Sequence, residues 1–166
     1  MMHPGYLMPS PLGDIAICAN ERALIGVFFV GQKYYPSLSI VGQDEHIPEV
    51  VRHAEQQLQE FFKGERRVFD LPLDLRGTDF QRRVWQELLT IPFGEMISYG
   101  TMARNMGLSS GHSRAVGSAN SKNPVSIIVP CHRVIGAAGD LTGYAGGMDR
   151  KRALLELENP IGDLFS

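Results

Sequence analysis

The 166-residue sequence is short of cysteine, with only Cys18 and Cys131, and contains a single tryptophan. Two cysteines so far apart make neither a disulfide scaffold nor a C-x-x-C pair. No apolar run approaches the ~18 residues of a membrane span. The opening Met1-Met2-His3-Pro4-Gly5 lacks the basic and apolar regions of an export signal, so a cytoplasmic protein is expected. Low-complexity and collagen-like bias are missing as well. With 43% apolar and 20% charged residues, the chain has material for a real core. Its length suits one domain or two small subdomains.

Another scarcity is local. Net charge is −2, yet residues 1–75 carry six Lys/Arg against ten Asp/Glu, and residues 76–166 carry ten against eight. From Ile97 to Gly139 there is no carboxylate, while Arg104, Arg114, Lys122 and Arg133 all lie there. Such a stretch reads equally as a buried segment short of charge or as a face suited to an anion.

Ile15–Cys18 and Leu24–Val30 are short β-rich runs, with Asn20-Glu21 as a hairpin turn between them. Residues 31–48 read as loop. Val51, Ala54, Leu58, Phe61 and Phe62 then form a helical stripe that Gly64 closes. Val68–Leu75 alternates like an edge strand interrupted by Pro72. A boundary falls near Gly77, because Thr78-Asp79-Phe80-Gln81 has the form of a capping box. Phe80, Val84 and Leu88 line one face of the helix it opens, with Trp85 and Leu89 beside it.

Two short helices follow. Ser98 can cap a segment through Met102, Ala103 and Met106 that Gly107 ends, and a second runs from about His112 to Ser121. Together they suggest a helix-turn-helix. Ala115, Gly117, Ser118 and Ala119 make the second helix slim, although Gly costs about 1 kcal/mol in a helix interior. Close helix packing and entry into a narrow groove, with Arg114 projecting from the first turn, both fit.

Val125–Val129 reads as a buried strand leading into Pro130-Cys131-His132-Arg133-Val134. A cysteine behind a buried strand can be an inert core residue. Here Pro130 breaks strand pairing, His132 supplies a base, and nearby basic residues favour thiolate over thiol. Neighbours in an extended strand face opposite ways, so a turn beginning at Pro130 is expected. In the last helix Leu154, Leu155 and Leu157 define an inward stripe. At ~100° per residue Glu158 falls within it and Glu156 faces away. A carboxylate there needs a partner, and a histidine would serve; a frayed, solvated helix end is the alternative.

Taken together, Tyr99, Arg114-Ala115-Val116-Gly117, Asn123-Pro124-Val125, Pro130-Cys131-His132-Arg133-Val134, Gly143-Tyr144-Ala145-Gly146-Gly147 and Leu154-Leu155 with Glu158 resemble the O6-alkylguanine-DNA alkyltransferase family, bacterial single-unit type. The likeness spans about residues 78–158. It implies an α/β (α+β) protein with a ribonuclease-H-like sheet-plus-helix scaffold over residues 1–77. Residues 78–166 would form a mostly helical, winged-helix-like DNA-binding and transfer domain. The implied activity is stoichiometric, irreversible removal of alkyl groups from O6-alkylguanine, and from O4-alkylthymine, onto the protein's own cysteine.

In that resemblance Cys131 is the acceptor, His132 takes its proton through a water, and Glu158 orients His132. Asn123 braces the turn before the active-site segment. The carbonyls of Cys131 and Val134 receive the guanine amino group, Tyr99 donates to guanine N3, and Tyr144 with the Ala145 amide borders the leaving oxygen. Arg114 replaces the flipped base, and Ala115, Gly117, Ser118 and Gln81 would also face the DNA. The implied partner is double-stranded DNA carrying alkylated bases, bound by a monomer; clustering along DNA stays open. No cofactor, membrane or metal is expected, since Cys18 and His3 form no ligand set. Ala145 stands where some members carry Ser or Arg. A lesion-binding module without a nucleophile conflicts with Cys131, and a Cys-His thiol hydrolase would turn over.

Overall fold

The computed structural model describes residues 3–42, 45–141 and 143–160. Contacts divide the chain into two units. One runs to Arg76 and includes Pro124–Ile128; the other comprises Gly77–Asn123 and the chain from Val129 onward.

Four strands build the first unit: β1 (His3–Met8), β2 (Ile15–Ala19), β3 (Leu24–Phe29) and β4 (Leu38–Ile40), in the order β3-β2-β1-β4. β2 is antiparallel to β1 and β3, and β4 is parallel to β1. The hairpin turn forms because Asn20 Oδ1 accepts hydrogen bonds from the Arg22 and Ala23 amides at 2.7 and 2.8 Å. β2 is buried along its whole length, lying inside the sheet with α1 (Glu49–Phe62) packed against it. It therefore reads as a continuous apolar run. The helical stripe turns Val51, Ala54, Leu58 and Phe61 into the core.

Three sequence expectations are corrected. Residues 31–48 contain β4, whose three residues are too few to show alternation. Val68–Leu75 is not a strand, and only Leu73 bridges to Leu24. Pro72 has no N–H, so the contact reduces to its carbonyl and the Asp74 amide bonding Leu24 at 2.9 and 2.8 Å. Val125–Val129 is buried but folded into turns: Ile127 has φ 73° and the Ile128 amide donates to the Ser126 carbonyl at 2.8 Å. An apolar run shows burial, whereas a left-handed residue within it leaves no periodic trace.

The second unit opens with α2 (Asp79–Leu88). Its capping box is complete: Gln81 N–H donates to Thr78 Oγ1 at 3.1 Å and Thr78 N–H to Gln81 Oε1 at 3.0 Å. Val84, Trp85 and Leu88 are buried, while Phe80 is half-buried and Leu89 exposed, because the helix ends before Leu89 reaches the core. α3 (Tyr99–Asn105) is capped by Ser98, and Gly107 takes the left-handed φ of 78° that ends it. A 3-10 turn at Ser110–His112 leads into α4 (Ser113–Ser121). Trp85 Nε1 ties α2 to α4 by donating to the Ala119 carbonyl at 2.9 Å. β5 (Ile97–Ser98) and β6 (Val134–Ile135) pair in parallel, and α5 (Met148–Glu158) completes the described elements. No helix among the described residues is long and apolar enough to cross a membrane.

The capping box sets the stability of the α2 entry. Thr78→Ala should lower unfolding free energy by about 1 kcal/mol in urea titrations. An unchanged midpoint would mean that the cap contributes nothing here.

Candidate active site

Pro130 is followed by a 3-10 turn over Cys131–Arg133, the expected departure from extended chain that frees neighbouring side chains from opposite faces. Asn123 braces this turn, its Nδ2 donating to the Val129 carbonyl at 2.8 Å, and its side chain also hydrogen-bonds the Cys131 sulfur. Cys131 is 4% exposed. Burial pushes its thiol up to about 11, against smaller downward pulls from Asn123 and the Lys151 charge. The expected thiolate is thus corrected: at rest Cys131 is a thiol. Arg104, Arg114 and Lys122 are solvent-exposed, and Arg133 is engaged elsewhere, so little positive charge reaches the sulfur.

His132 is fully buried and its Nε2 lies 2.7 Å from Glu158 Oε2. The helical arithmetic holds: Glu158 is buried and Glu156 exposed. Arg133 supplies what the sequence reading missed. Its Nε and Nη2 donate to the two Glu158 oxygens at 2.8 and 2.9 Å, its Nη1 donates to the Ile91 carbonyl at 2.6 Å, and its guanidinium lies 5.8 Å from the Phe93 ring centre. The Gly94 amide adds a bond to Glu158 Oε1 at 3.3 Å.

Burial alone would raise the Glu158 pKa, but His132 and Arg133 outweigh it and hold the carboxyl at about 2. Burial also pushes His132 below its ordinary value despite the carboxylate beside it. A neutral imidazole facing an ionised carboxylate must carry its proton on Nε2. Among the described residues Nδ1 has no hydrogen-bond partner, so its lone pair is free to accept a proton.

Lys151 is a second residue that sequence reasoning passed over. It lies seven positions before Glu158, on the same inward stripe as Leu154 and Leu155, so the same angular count would have found it. It is fully buried, its Nζ donates to the Val134 carbonyl at 2.6 Å, and burial lowers its pKa to about 8. Its ammonium stands 5.8 Å from the Tyr99 ring centre. Burial, then the neighbouring Cys131, raises the Tyr99 hydroxyl to about 12, which keeps it a proton donor. A Cβ at Gly143 would come within 2.7 Å of that hydroxyl, so only glycine allows the approach.

The structure brings Cys131, His132, Glu158, Asn123, Val134 and Tyr99 into one connected group. Tyr144 is buried and Ala145 half-buried in the following loop, where Arg150 Nη1 donates to the Gly146 carbonyl at 3.1 Å. Arg114, Ala115 and Ser118 occupy the exposed face of α4, and Gly117 lies against the Tyr99 ring, with room for a Cβ at 3.8 Å. Tyr99, Arg104, Arg114, Gly117 and Gly143 line an open cleft of about 600 Å³. Gln81 stands apart from this group, its side-chain oxygen bonded within the α2 cap.

Residues 79–160 match the family model for the DNA binding domain of 6-O-methylguanine DNA methyltransferase, and residues 5–75 match that for its ribonuclease-like domain. A Mycobacterium bovis methylated-DNA–protein-cysteine methyltransferase is 52% identical over 149 residues, covering 90% of this chain and 88% of that protein. A Methanosarcina acetivorans protein of the same name is 45% identical over 152 residues, covering 92% and 96%. The crystal structure of Mycobacterium tuberculosis OGT in complex with DNA aligns with a TM-score of 0.85 at 46% identity, over 98% of this chain and 99% of that one.

The buried network makes acid destabilising in two stages. His132, neutral when folded, charges in the unfolded chain, so stability falls as pH drops through about 6.5. Glu158, held at about 2, contributes on the order of 3 kcal/mol above its unfolded pKa, and that share is lost between roughly pH 4.5 and 2. Urea midpoints measured from pH 8 to 3 should fall in both ranges for the parent, and Glu158→Gln should abolish the lower step. A lower step that persists in the variant would assign it to other carboxylates.

Proposed function

The chain belongs to the 6-O-methylguanine DNA methyltransferase family, and from that premise we propose that it repairs DNA by moving the alkyl group of O6-alkylguanine to its own Cys131. One observation carries this reading: a buried thiol next in sequence to a neutral imidazole whose Nδ1 is open and whose Nε2 is held by an anchored carboxylate. A thiol with a pKa of about 11 is only about one part in ten thousand thiolate at pH 7, so a base has to take the proton as reaction begins.

In the proposed sequence the exposed face of α4, with Arg114, Ala115, Gly117 and Ser118, enters the minor groove. Small side chains suit its ~6 Å width. Arg114 fills the space of the extruded nucleotide and offsets part of the few kcal/mol of unstacking. Because Cys131 is 4% exposed and does not line the cleft at Tyr99, the base must part that lining as it enters. His132 Nδ1 takes the thiol proton through a water, and Glu158, fixed by Arg133, stabilises the imidazolium that results.

Sulfur then attacks the alkyl carbon. The S–C bond forms as the C–O6 bond breaks, and the electron pair stays on guanine, which takes up a proton. Tyr99, kept protonated by burial, donates at N3 as that charge develops, and the Ala145 amide lies near O6 with Tyr144. The Cys131 and Val134 carbonyls face the amino group, and Asn123 holds the turn that presents them. Gln81 serves the α2 cap and has no part in this step. Thioether formation is irreversible, so each molecule acts once.

Residues 1–77 serve in this scheme as scaffold, residues 78–166 bind DNA and transfer the alkyl group, and the protein works in the cytoplasm. O4-alkylthymine would be a second substrate. A thiol hydrolase built on Cys131 and His132 would pass one equivalent and continue.

Intact mass measured after mixing with an O6-methylguanine duplex should show one added methyl group, mapped to Cys131. Cys131→Ala should bind the duplex and remain unmodified; a methyl on another residue, or turnover past one equivalent, would refute the assignment. Arg114→Ala should slow transfer from duplex at least tenfold while sparing free O6-alkylguanine. Equal losses on both substrates would remove the base-replacement role.

A further inference from the structure

Asn120 belongs to none of the roles above, yet it is fully buried on the inward face of α4 with Val116 and Ala119. Its Nδ2 lies 3.2 Å from the Cys131 carbonyl and 3.5 Å from the Tyr99 hydroxyl. A carbonyl only accepts, so the contact with Cys131 fixes which side-chain atom is nitrogen. That leaves Oδ1 pointing the other way, and among the described residues no donor reaches it. An orphaned acceptor inside a protein is costly, and a donor on the substrate would satisfy it.

The chemistry of the lesion narrows that partner. Alkylation at O6 removes the N1 proton of guanine, so N1, N3, N7 and O6 are all acceptors. The exocyclic 2-amino group is the one donor left on the ring. It is bonded to C2, next to N3, the atom assigned to Tyr99, and it is the group assigned to the Cys131 carbonyl. Asn120 touches both of those protein groups. The Val134 carbonyl already holds the Lys151 ammonium at 2.6 Å, and the Cys131 carbonyl already holds Asn120 Nδ2. Among the described residues, Oδ1 is therefore the one of these three acceptors (the two carbonyls and the amide oxygen) with no donor of its own.

We propose that Asn120 is a further specificity-determining residue, whose Nδ2 holds the Cys131 carbonyl and whose Oδ1 accepts a hydrogen bond from the 2-amino group of the extruded O6-alkylguanine. The inference rests on the alkyl-transfer reading. A site built to satisfy a substrate donor rejects the analogue lacking it, because its own acceptor then stays unpaired. The residue also lies on the helix that carries Arg114, so groove binding and base reading share one rigid element.

The test is a cycle of two proteins and two lesions in the same duplex sequence: O6-methylguanine, and O6-methylhypoxanthine, in which hydrogen replaces the amino group. Transfer is read as single-turnover methyl gain on the protein. The parent should prefer the amino-bearing lesion, and Asn120→Leu, similar in shape but apolar, should compress that preference about tenfold by slowing the guanine reaction more than the hypoxanthine one. Differences in base extrusion between the lesions cancel in the ratio of ratios. Asn120→Met repeats the measurement with a flexible apolar chain in case the first variant packs poorly. An unchanged preference, or equal slowing on both lesions in both variants, overturns the proposal and leaves Asn120 a packing residue. Failure of the parent to methylate on either lesion would instead sink the alkyl-transfer reading itself.

Discussion

One buried carboxylate holds the reactive half of this molecule together. Glu158, at the end of α5, receives donors from His132, Arg133 and the Gly94 amide, and through Arg133 it is tied to the Ile91 carbonyl. The segment after α2, the turn bearing the cysteine and the last turn of α5 thereby converge on one anion. A buried ion pair repays its desolvation only when geometry is good and the remaining lone pairs are satisfied. The bidentate Arg133 contact and the imidazole meet both conditions. Its chemical consequence is a fixed tautomer, because a carboxylate that stays ionised leaves the His132 proton on Nε2.

Burial has a second consequence. The same desolvation that raises Cys131 and Tyr99 lowers Lys151. The site at rest is consequently a protonated thiol beside a neutral base, with a buried amine close to its neutral form at mildly alkaline pH. A protein consumed by its own reaction benefits from a thiol that is inert until a substrate occupies the pocket. Here that restraint needs no separate device, since a low-dielectric setting disfavours the charged nucleophile.

The helix α4 joins these properties to the surface. Its outward face carries Arg114, Ala115 and Ser118, and its inward face carries Val116, Ala119 and Asn120. Trp85 secures the helix through the Ala119 carbonyl, and Gly117 faces the Tyr99 ring. Ala115 and Ser118 keep the exposed side slim, the property that the proposed groove entry uses.

Much of this was legible in the residues alone. The capping box at Thr78, the Asn20 turn, the Ser98 cap and the inward bearing of Glu158 all follow from local geometry, where a helix turns ~100° per residue and caps need particular side chains. Other features were invisible for a common reason. The left-handed Ile127, the capture of Glu158 by Arg133, the bond from Lys151 to the Val134 carbonyl and the orphaned oxygen of Asn120 each depend on what lies within a few ångströms from remote parts of the chain. The sequence by itself determined the family resemblance and which groups are candidates for the chemistry, because residue type and local spacing are written along the chain. Only the tertiary structure decided their charge states, because desolvation and pairing arise when distant segments close around a group and exclude water.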